Sequence, residues 1–226
     1  MIQSLLLIPL ASAILGLFLL RSQRSLLWLS VVSSIASLVV SIVLLKHVYH
    51  SGPIAFQWAQ WRAPFGISFV ADLLSLTVLV FMYLISLCVS LSGASLDTPR
   101  KQAGFSIFQS FLLFGATGAL LTGDFFNLYV WFEVLLISSF GLLSLGCGIE
   151  QLRGTAKYLV INLVGSIIFL TGAGLIYGFF GTLNMADVAL QIRQSPDAPW
   201  VSLVAAFLFV AFSVKAGSFP FFGWLP

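Results

Sequence analysis

The sequence predicts an all-α, multi-pass membrane protein, and three observations carry that prediction. Hydrophobic residues fill 60% of the 226 positions and charged residues only 8%, against about 25% charge in ordinary soluble domains. Mean hydropathy is +1.09. The apolar residues gather into seven runs, about 2–20, 26–46, 68–92, 104–122, 125–147, 155–181 and 200–222, each near the ~20 residues a helix needs to cross a bilayer core. All seven are expected to be helices. An open strand in lipid leaves backbone groups unbonded, and no alternating barrel pattern is present. The whole of 1–226 reads as a single transmembrane domain, with three helices in 1–103 and four more in 104–226.

The N-terminus lacks a basic region before its apolar run, and its first positive charge, Arg21, comes after it. A cleaved signal peptide has the reverse order, so 2–20 is read as a retained span. The connections then orient the chain. Arg21, Arg24, Arg100, Lys101, Arg153 and Lys157 fall on one side; Lys46, Arg62 and Arg193 fall on the other. The richer side is expected inside, which places the N-terminus outside. The net charge of +3 contains no basic run, so nothing points to nucleic acid.

The second connection, 47–67, carries His47, His50, Trp58, Trp61 and Pro64. Paired tryptophans beside a span suit the headgroup layer, and the two histidines read as solvated loop residues rather than metal ligands. Cys88 and Cys147 have no metal-ligand spacing and read as small buried apolar residues. Asp72 opens the third span. It admits two readings, a polar contact to a neighbouring helix near an ion entrance, or a carboxylate favoured by the dipole of the first helical turn.

Only Thr122-Gly123-Asp124 separates the fourth and fifth runs, so those spans must be an antiparallel pair. Asp124 is a good N-cap for the fifth, and Asn127, one turn deeper, is placed to bridge helices. Small residues at Gly115-Ala116-Thr117-Gly118-Ala119 and Gly172-Ala173-Gly174 mark close helix packing. In the sixth run, Lys157 reads either as a snorkelling residue or as a relay toward the inner water; Asn162 is a deeper interhelical hydrogen-bonding group. Between the sixth and seventh runs, Asn184 can cap a short helix whose Met185, Val188, Ala189 and Ile192 share a face, which suits a helix lying in the interface.

Two charges lie deep in the apolar runs. Glu133 is roughly 13 Å along the helix from Asp124, and Lys215 roughly 22 Å from Trp200. Ionisable groups at such depth are costly and mark functional sites. After Lys215 come Gly217 and Pro220, and the proline is expected to break or kink the helix, which membranes tolerate where the broken backbone lines a cavity. A carboxylate and an amine that approach and separate change each other's proton affinity, since an opposite charge favours the ionised form and burial opposes it. That makes a proton switch from two residues; a static ion pair fixing two helices is the plainer reading. No nucleophile–base constellation, phosphate loop or cluster-binding cysteine set is visible, so no cofactor is expected and any redox centre would sit on partner chains.

These residues also carry a resemblance. The stretch from Gly123-Asp124-Phe125-Phe126-Asn127 through Trp131-Phe132-Glu133-Val134-Leu135-Leu136, then Gly181-Thr182-Leu183-Asn184-Met185-Ala186-Asp187, then Lys215, Phe219-Pro220 and Trp224-Leu225-Pro226, resemble the antiporter-like membrane subunits of respiratory complex I and its relatives. Trp61-Arg62-Ala63-Pro64-Phe65-Gly66-Ile67 and Val70-Ala71-Asp72 add a likeness to the D-type subunit of the multisubunit Mrp sodium/proton antiporters. The resemblance implies a fold of fourteen helices with two inverted repeats, each with a broken helix, of which this chain would hold the N-terminal half and an incomplete first repeat. It implies that Glu133 and Lys215 are the proton-transfer pair, with Lys157 in a Lys-Tyr pattern of less defined role. It also implies membrane partners in a hetero-oligomeric assembly, protons and sodium as the transported ions, and a bacterial cell membrane as the location. A redox-driven proton pump of the complex I or membrane hydrogenase type, and a scaffold without transport, are the alternatives. Phe222-Gly223 stands where complex I relatives often carry a histidine before Trp-Leu-Pro. The stop at Pro226, with no polar tail, reads as a cut through a longer protein.

Overall fold

The computed structural model describes residues 1–58, 61, 63, 66–92, 99–146, 148–195 and 198–225, with the side chains of 99–102 outside that description. Readings that rest on Arg62, Pro64, Phe65, Cys147, Pro226 and the Arg100 and Lys101 side chains lie outside the described residues. The chain order is α1 (Ile2–Phe18), α2 (Gln23–Ser51), β1 (Ile54–Gln57), β2 (Ser68–Ala71), α3 (Leu73–Ser92), α4 (Pro99–Leu121), α5 (Phe125–Ser144), α6 (Ile149–Phe180), α7 (Met185–Gln194) and α8 (Pro199–Lys215), followed by a 3-10 turn at Phe222–Trp224. Among the described residues α2, α3, α5, α6 and the Ala103–Leu121 part of α4 are long and apolar enough to cross a membrane; α1 and α8 are shorter apolar helices. The protein is thus a multi-pass, mostly helical membrane protein.

Where the apolar runs and the helices differ, local backbone chemistry explains it. An apolar run continues through residues that turn out of the helix, so Leu19 and Leu20 lie beyond α1, and 216–222 lie beyond α8. The third run does not begin as helix. Ser68–Ala71 pairs antiparallel with Ile54–Gln57, in register from Ile54 opposite Ala71 to Gln57 opposite Ser68. The hairpin sits at a helix end, and its ladder is extended by the Gly123 N–H donating to the Ser68 carbonyl at 2.8 Å. That supplies the backbone partner which an open strand would otherwise lack. His47 and His50 likewise belong to the last turns of α2 and not to a loop. Cys88 is exposed rather than buried, because α3 turns Ser75, Leu79, Tyr83, Ser86 and Ser90 inward and the sulfur faces the other way.

The first four helices share one core, built from Leu5, Leu44, Leu76, Leu79, Tyr83 and Leu113 with Phe69 of the hairpin. Polar side chains also join these helices. Gln109 Nε2 reaches the Ser86 carbonyl, Ser86 Oγ and Ser90 Oγ, each at 3.1 Å. Ser34 meets Ser86 at 2.9 Å, and Tyr83 meets Thr117 at 2.6 Å. Lipid supplies little drive for apolar helices to associate, so small residues and interhelical hydrogen bonds hold them. Gly118 shows the packing half of that rule. A Cβ there would lie 2.1 Å from Cδ2 of Trp131, so only glycine lets the α5 indole lie across α4. Gly172 plays a milder version of this part against Phe207 and Leu208 of α8, whereas Gly174 faces open space.

Candidate functional site

Asp124 starts α5: its Oδ1 accepts from the Asn127 N–H at 2.8 Å. Glu133 follows on this helix, partly buried, with its Oε1 enclosed and without a hydrogen-bond partner among the described residues. Its neighbour Phe132 packs edge-to-face with Phe169 of α6 at 5.4 Å and with Phe212 of α8 at 6.2 Å. This aromatic junction brings α5, α6 and α8 together around the two deep charges.

Proline at the first position of α8 suits a helix start. The stop comes after Lys215. The Ser218 N–H returns to the Ser213 carbonyl at 3.0 Å and the Gly217 N–H to the Val214 carbonyl at 3.2 Å, which is the Schellman arrangement. Gly217 takes φ +61°, the left-handed conformation in which a side chain is strained. Pro220 is therefore not what ends the helix: it lies past a stop that Gly217 has already made. The indole Nε1 of Trp224 adds a third bond to this end, donating to the Val214 carbonyl at 2.9 Å.

Lys215 is thereby held at the last helical position, with its amine directed back among the helices. Nζ donates to Ser166 Oγ of α6 at 2.9 Å and lies 4.9 Å from the centre of the Phe132 ring, within cation–π range. Glu133 directly follows Phe132, whose ring the amine faces, but the acid and the amine form no ion pair within 4.0 Å; among the described residues that distance is met by the exposed Arg153–Glu150 pair. The structure thus gathers Glu133 and Lys215 into one site while bonding the lysine to a serine. Ser166, buried on α6, is not singled out by the sequence reading. The available signal is its place one turn beyond Asn162, which lies one turn beyond Tyr158.

The other candidate residues fall elsewhere. Lys157 is exposed on the wall of a cleft of about 650 Å³ that also contains Ser139, Tyr158 and Trp224; along α6 it is roughly 14 Å from Ser166. Asn162 is buried, and its Nδ2 bonds the Tyr158 carbonyl of its own helix at 3.0 Å. Asp72 caps α3, its Oδ1 accepting from the Ser75 N–H at 2.7 Å while Ser75 Oγ accepts from the Asp72 N–H at 3.1 Å. Asn127 bonds Thr122 Oγ1 through Nδ2 at 2.8 Å, so it ties the α4–α5 turn together rather than reaching to a further helix. Burial raises the Asp124 carboxyl above its usual range, against the bonds from the Asn127 and Phe126 backbone. No group of three or more His, Cys, Asp or Glu side chains is gathered among the described residues.

Residues 122–226 match the membrane family described as "NADH:quinone oxidoreductase/Mrp antiporter, TM". By sequence and fold, the chain is similar to antiporter-like membrane chains of the complex I and Mrp superfamily. Within that superfamily it is 40% identical, over 85% of its length, to a protein of Alkalihalophilus pseudofirmus named as the D subunit of a Na(+)/H(+) antiporter. It superposes on a chain of the membrane-bound sulfane sulfur reductase, an archaeal respiratory membrane complex, with a TM-score of 0.91 and 29% identity over 99% of its length. On a chain of the Mrp complex from Dietzia sp. DQ12-45-1b the values are 0.87, 26% and 99%. It spans 39% of the Alkalihalophilus protein, 46% of the reductase chain and 42% of the Dietzia chain, a little under half the length of the proteins it matches.

Proposed function

We propose that this chain is part of a D-type subunit of a multisubunit sodium/proton antiporter, and that protons pass through Glu133 and Lys215. The observation that carries the reading is the state of the pair. A deep amine and a deep carboxylate share one aromatic-walled junction, yet the amine is bonded to Ser166 and an oxygen of the carboxylate has no partner among the described residues. A pair retained only to fix two helices gains from close contact, because an uncompensated buried charge is expensive. A pair that exchanges protons needs a second resting place for the lysine, and Ser166 supplies one. Moving the amine between Glu133 and Ser166 alters the proton affinity of both ionisable groups.

In this reading the protein works in a bacterial cell membrane beside other membrane subunits, with its N-terminus outside and the end bearing Arg21, Arg24, Arg153 and Lys157 inside. α1 and α8 cross with the five longer helices, giving seven spans, and the turn after Lys215 is the break in a helix that resumes further along the chain. The runner-up is the membrane arm of a redox-driven pump, favoured by the likeness to the sulfane sulfur reductase chain. Co-purifying subunits that carry redox centres would select that alternative. The test of the pair is Glu133→Gln and Lys215→Ala in the full-length protein, each expected to abolish pH-gradient activity in membrane vesicles while assembly is retained. Normal activity in either variant overturns the proton route and leaves a structural pair.

A further inference from the structure

We infer that the α6 face bearing Thr155, Tyr158, Asn162 and Ser166 is the water-lined route from the cleft to Lys215, with Trp224 as its stopper. The inference rests on the proposed role of Lys215 and names the side chains that serve it. Spacings of three and four residues put these groups above one another on one helix face. They form a ladder about 16 Å long through a helix that is otherwise apolar from Leu159 to Gly165.

The ladder has an end at each place where one is needed. At the top, Lys215 Nζ donates to Ser166 Oγ at 2.9 Å. At the bottom, Thr155 and Tyr158 line the cleft. Between them Asn162, 4% exposed, bonds the Tyr158 carbonyl. The Tyr158 hydroxyl meets Ser139 Oγ of α5 at 2.5 Å. Ser139 Oγ also reaches the Leu135 and Leu136 carbonyls of its own helix, at 2.7 and 3.0 Å, and either hydroxyl can donate in the contact with Tyr158. Successive rungs are one turn apart, a gap a single water bridges when polar groups face it from both sides. On the opposite face Val160, Val164 and Ile167 are exposed, as a lipid-facing surface would be, in the stretch between Lys157 and Thr171.

Trp224 sits where it can interrupt this route. Its ring lies 5.3 Å from that of Tyr158, its Nε1 holds the Val214 carbonyl, and it forms part of the cleft wall. It therefore touches both the lower rung and the helix end that carries the lysine. A motion that releases the indole from Val214 would open the ladder to the cleft and free the end of α8 together.

Substituted cysteines test this without requiring transport. In the full-length protein in membrane vesicles, with Cys88→Ser and Cys147→Ser as background, single changes Thr155→Cys, Asn162→Cys, Ser166→Cys, Val160→Cys and Val164→Cys are exposed to the charged thiol reagent methanethiosulfonate ethylammonium. Thr155→Cys, at the cleft, reports that the reagent arrives. Asn162→Cys and Ser166→Cys are expected to react at least ten-fold faster than the two valine positions, and several-fold faster again when Trp224→Ala is added. Rates at Asn162→Cys and Ser166→Cys no greater than at the valines, with Thr155→Cys reacting, overturn the route. A Trp224→Ala background that leaves those rates unchanged overturns the stopper. Because labelling needs no ion flux, these failures are distinct from normal transport by Glu133→Gln or Lys215→Ala.

Discussion

One end of the α5–α8 bundle and its middle are built on opposite terms. At one end two turns of similar sequence, Thr122-Gly123-Asp124-Phe125-Phe126-Asn127 and Thr182-Leu183-Asn184-Met185-Ala186-Asp187, face each other. The Phe125 N–H donates to the Leu183 carbonyl and the Met185 N–H to the Gly123 carbonyl, both at 2.9 Å, so the exchange is reciprocal. In each turn a threonine hydroxyl accepts from the N–H of the capping residue, Thr122 for Asp124 and Thr182 for Asn184. Each cap then accepts from the residue three further on. Asn184 also reaches Ser68 of the hairpin at 3.2 Å. Midway along the bundle, Lys215 has one hydrogen bond and one aromatic face and Glu133 keeps an oxygen without a partner among the described residues, and beyond them a cleft opens beside Tyr158. The first end is saturated with short-range bonds that leave little to rearrange. The middle holds groups with few bonds, as the proposed proton route requires.

Substitutions can break this contrast in either region. The largest stability loss is expected from Asn184→Ala, which removes the cap of α7 and the tie to Ser68; about 1–2 kcal/mol is expected for such a cap, seen as a lower midpoint in detergent thermal unfolding. Gly217→Ala comes next, at about 1 kcal/mol, because alanine must adopt the left-handed conformation at the end of α8. It should also disturb the seat of Lys215, so a fall in activity larger than the fall in midpoint is the expected signature. Ser166→Ala sharpens the contrast from the other side. Melting should move little, while the pH dependence of transport shifts, because the lysine loses its alternative partner; an unchanged pH profile would count against a mobile amine.

The smallest effect is expected at Asp124. Burial raises its carboxyl in the folded protein, so the native state binds the proton more tightly than the unfolded chain does. That contribution to stability is present at acid pH and is lost as pH rises through the raised value. Asp124→Asn keeps a good cap and removes the titration. Its melting midpoint should match wild type at acid pH, stay flatter as pH rises, and lie above wild type near neutrality.

The capping chemistry is legible in the sequence because it is local. Asp124 and Asn184 stand directly before the helices they cap, and a carboxylate or carboxamide at that place has an evident use. Asp72 has two readings in the sequence, and the structure shows it making a cap. Lys157, a candidate relay by sequence, lies on the cleft wall, away from Lys215. The sequence points to Pro220 as the stop after Lys215, yet Gly217 makes it, because a left-handed residue closes the last carbonyls before the proline is reached. The hairpin is hidden within an apolar run, since four residues of strand and one turn of helix have similar hydropathy.

The sequence by itself determined that this is a multi-pass helical membrane chain, which superfamily it resembles, where its caps lie, and that one acid and one amine sit deep in apolar runs. Those properties depend on composition and on neighbours within a turn or two. Only the tertiary structure decided that the amine rests on Ser166, 49 residues away, that two similar turns clasp each other, and that an indole stands between Tyr158 and the end of α8. Such pairings are set by how helices pack, through shape and the satisfaction of buried polar groups, and no local pattern encodes which distant partner will be in reach.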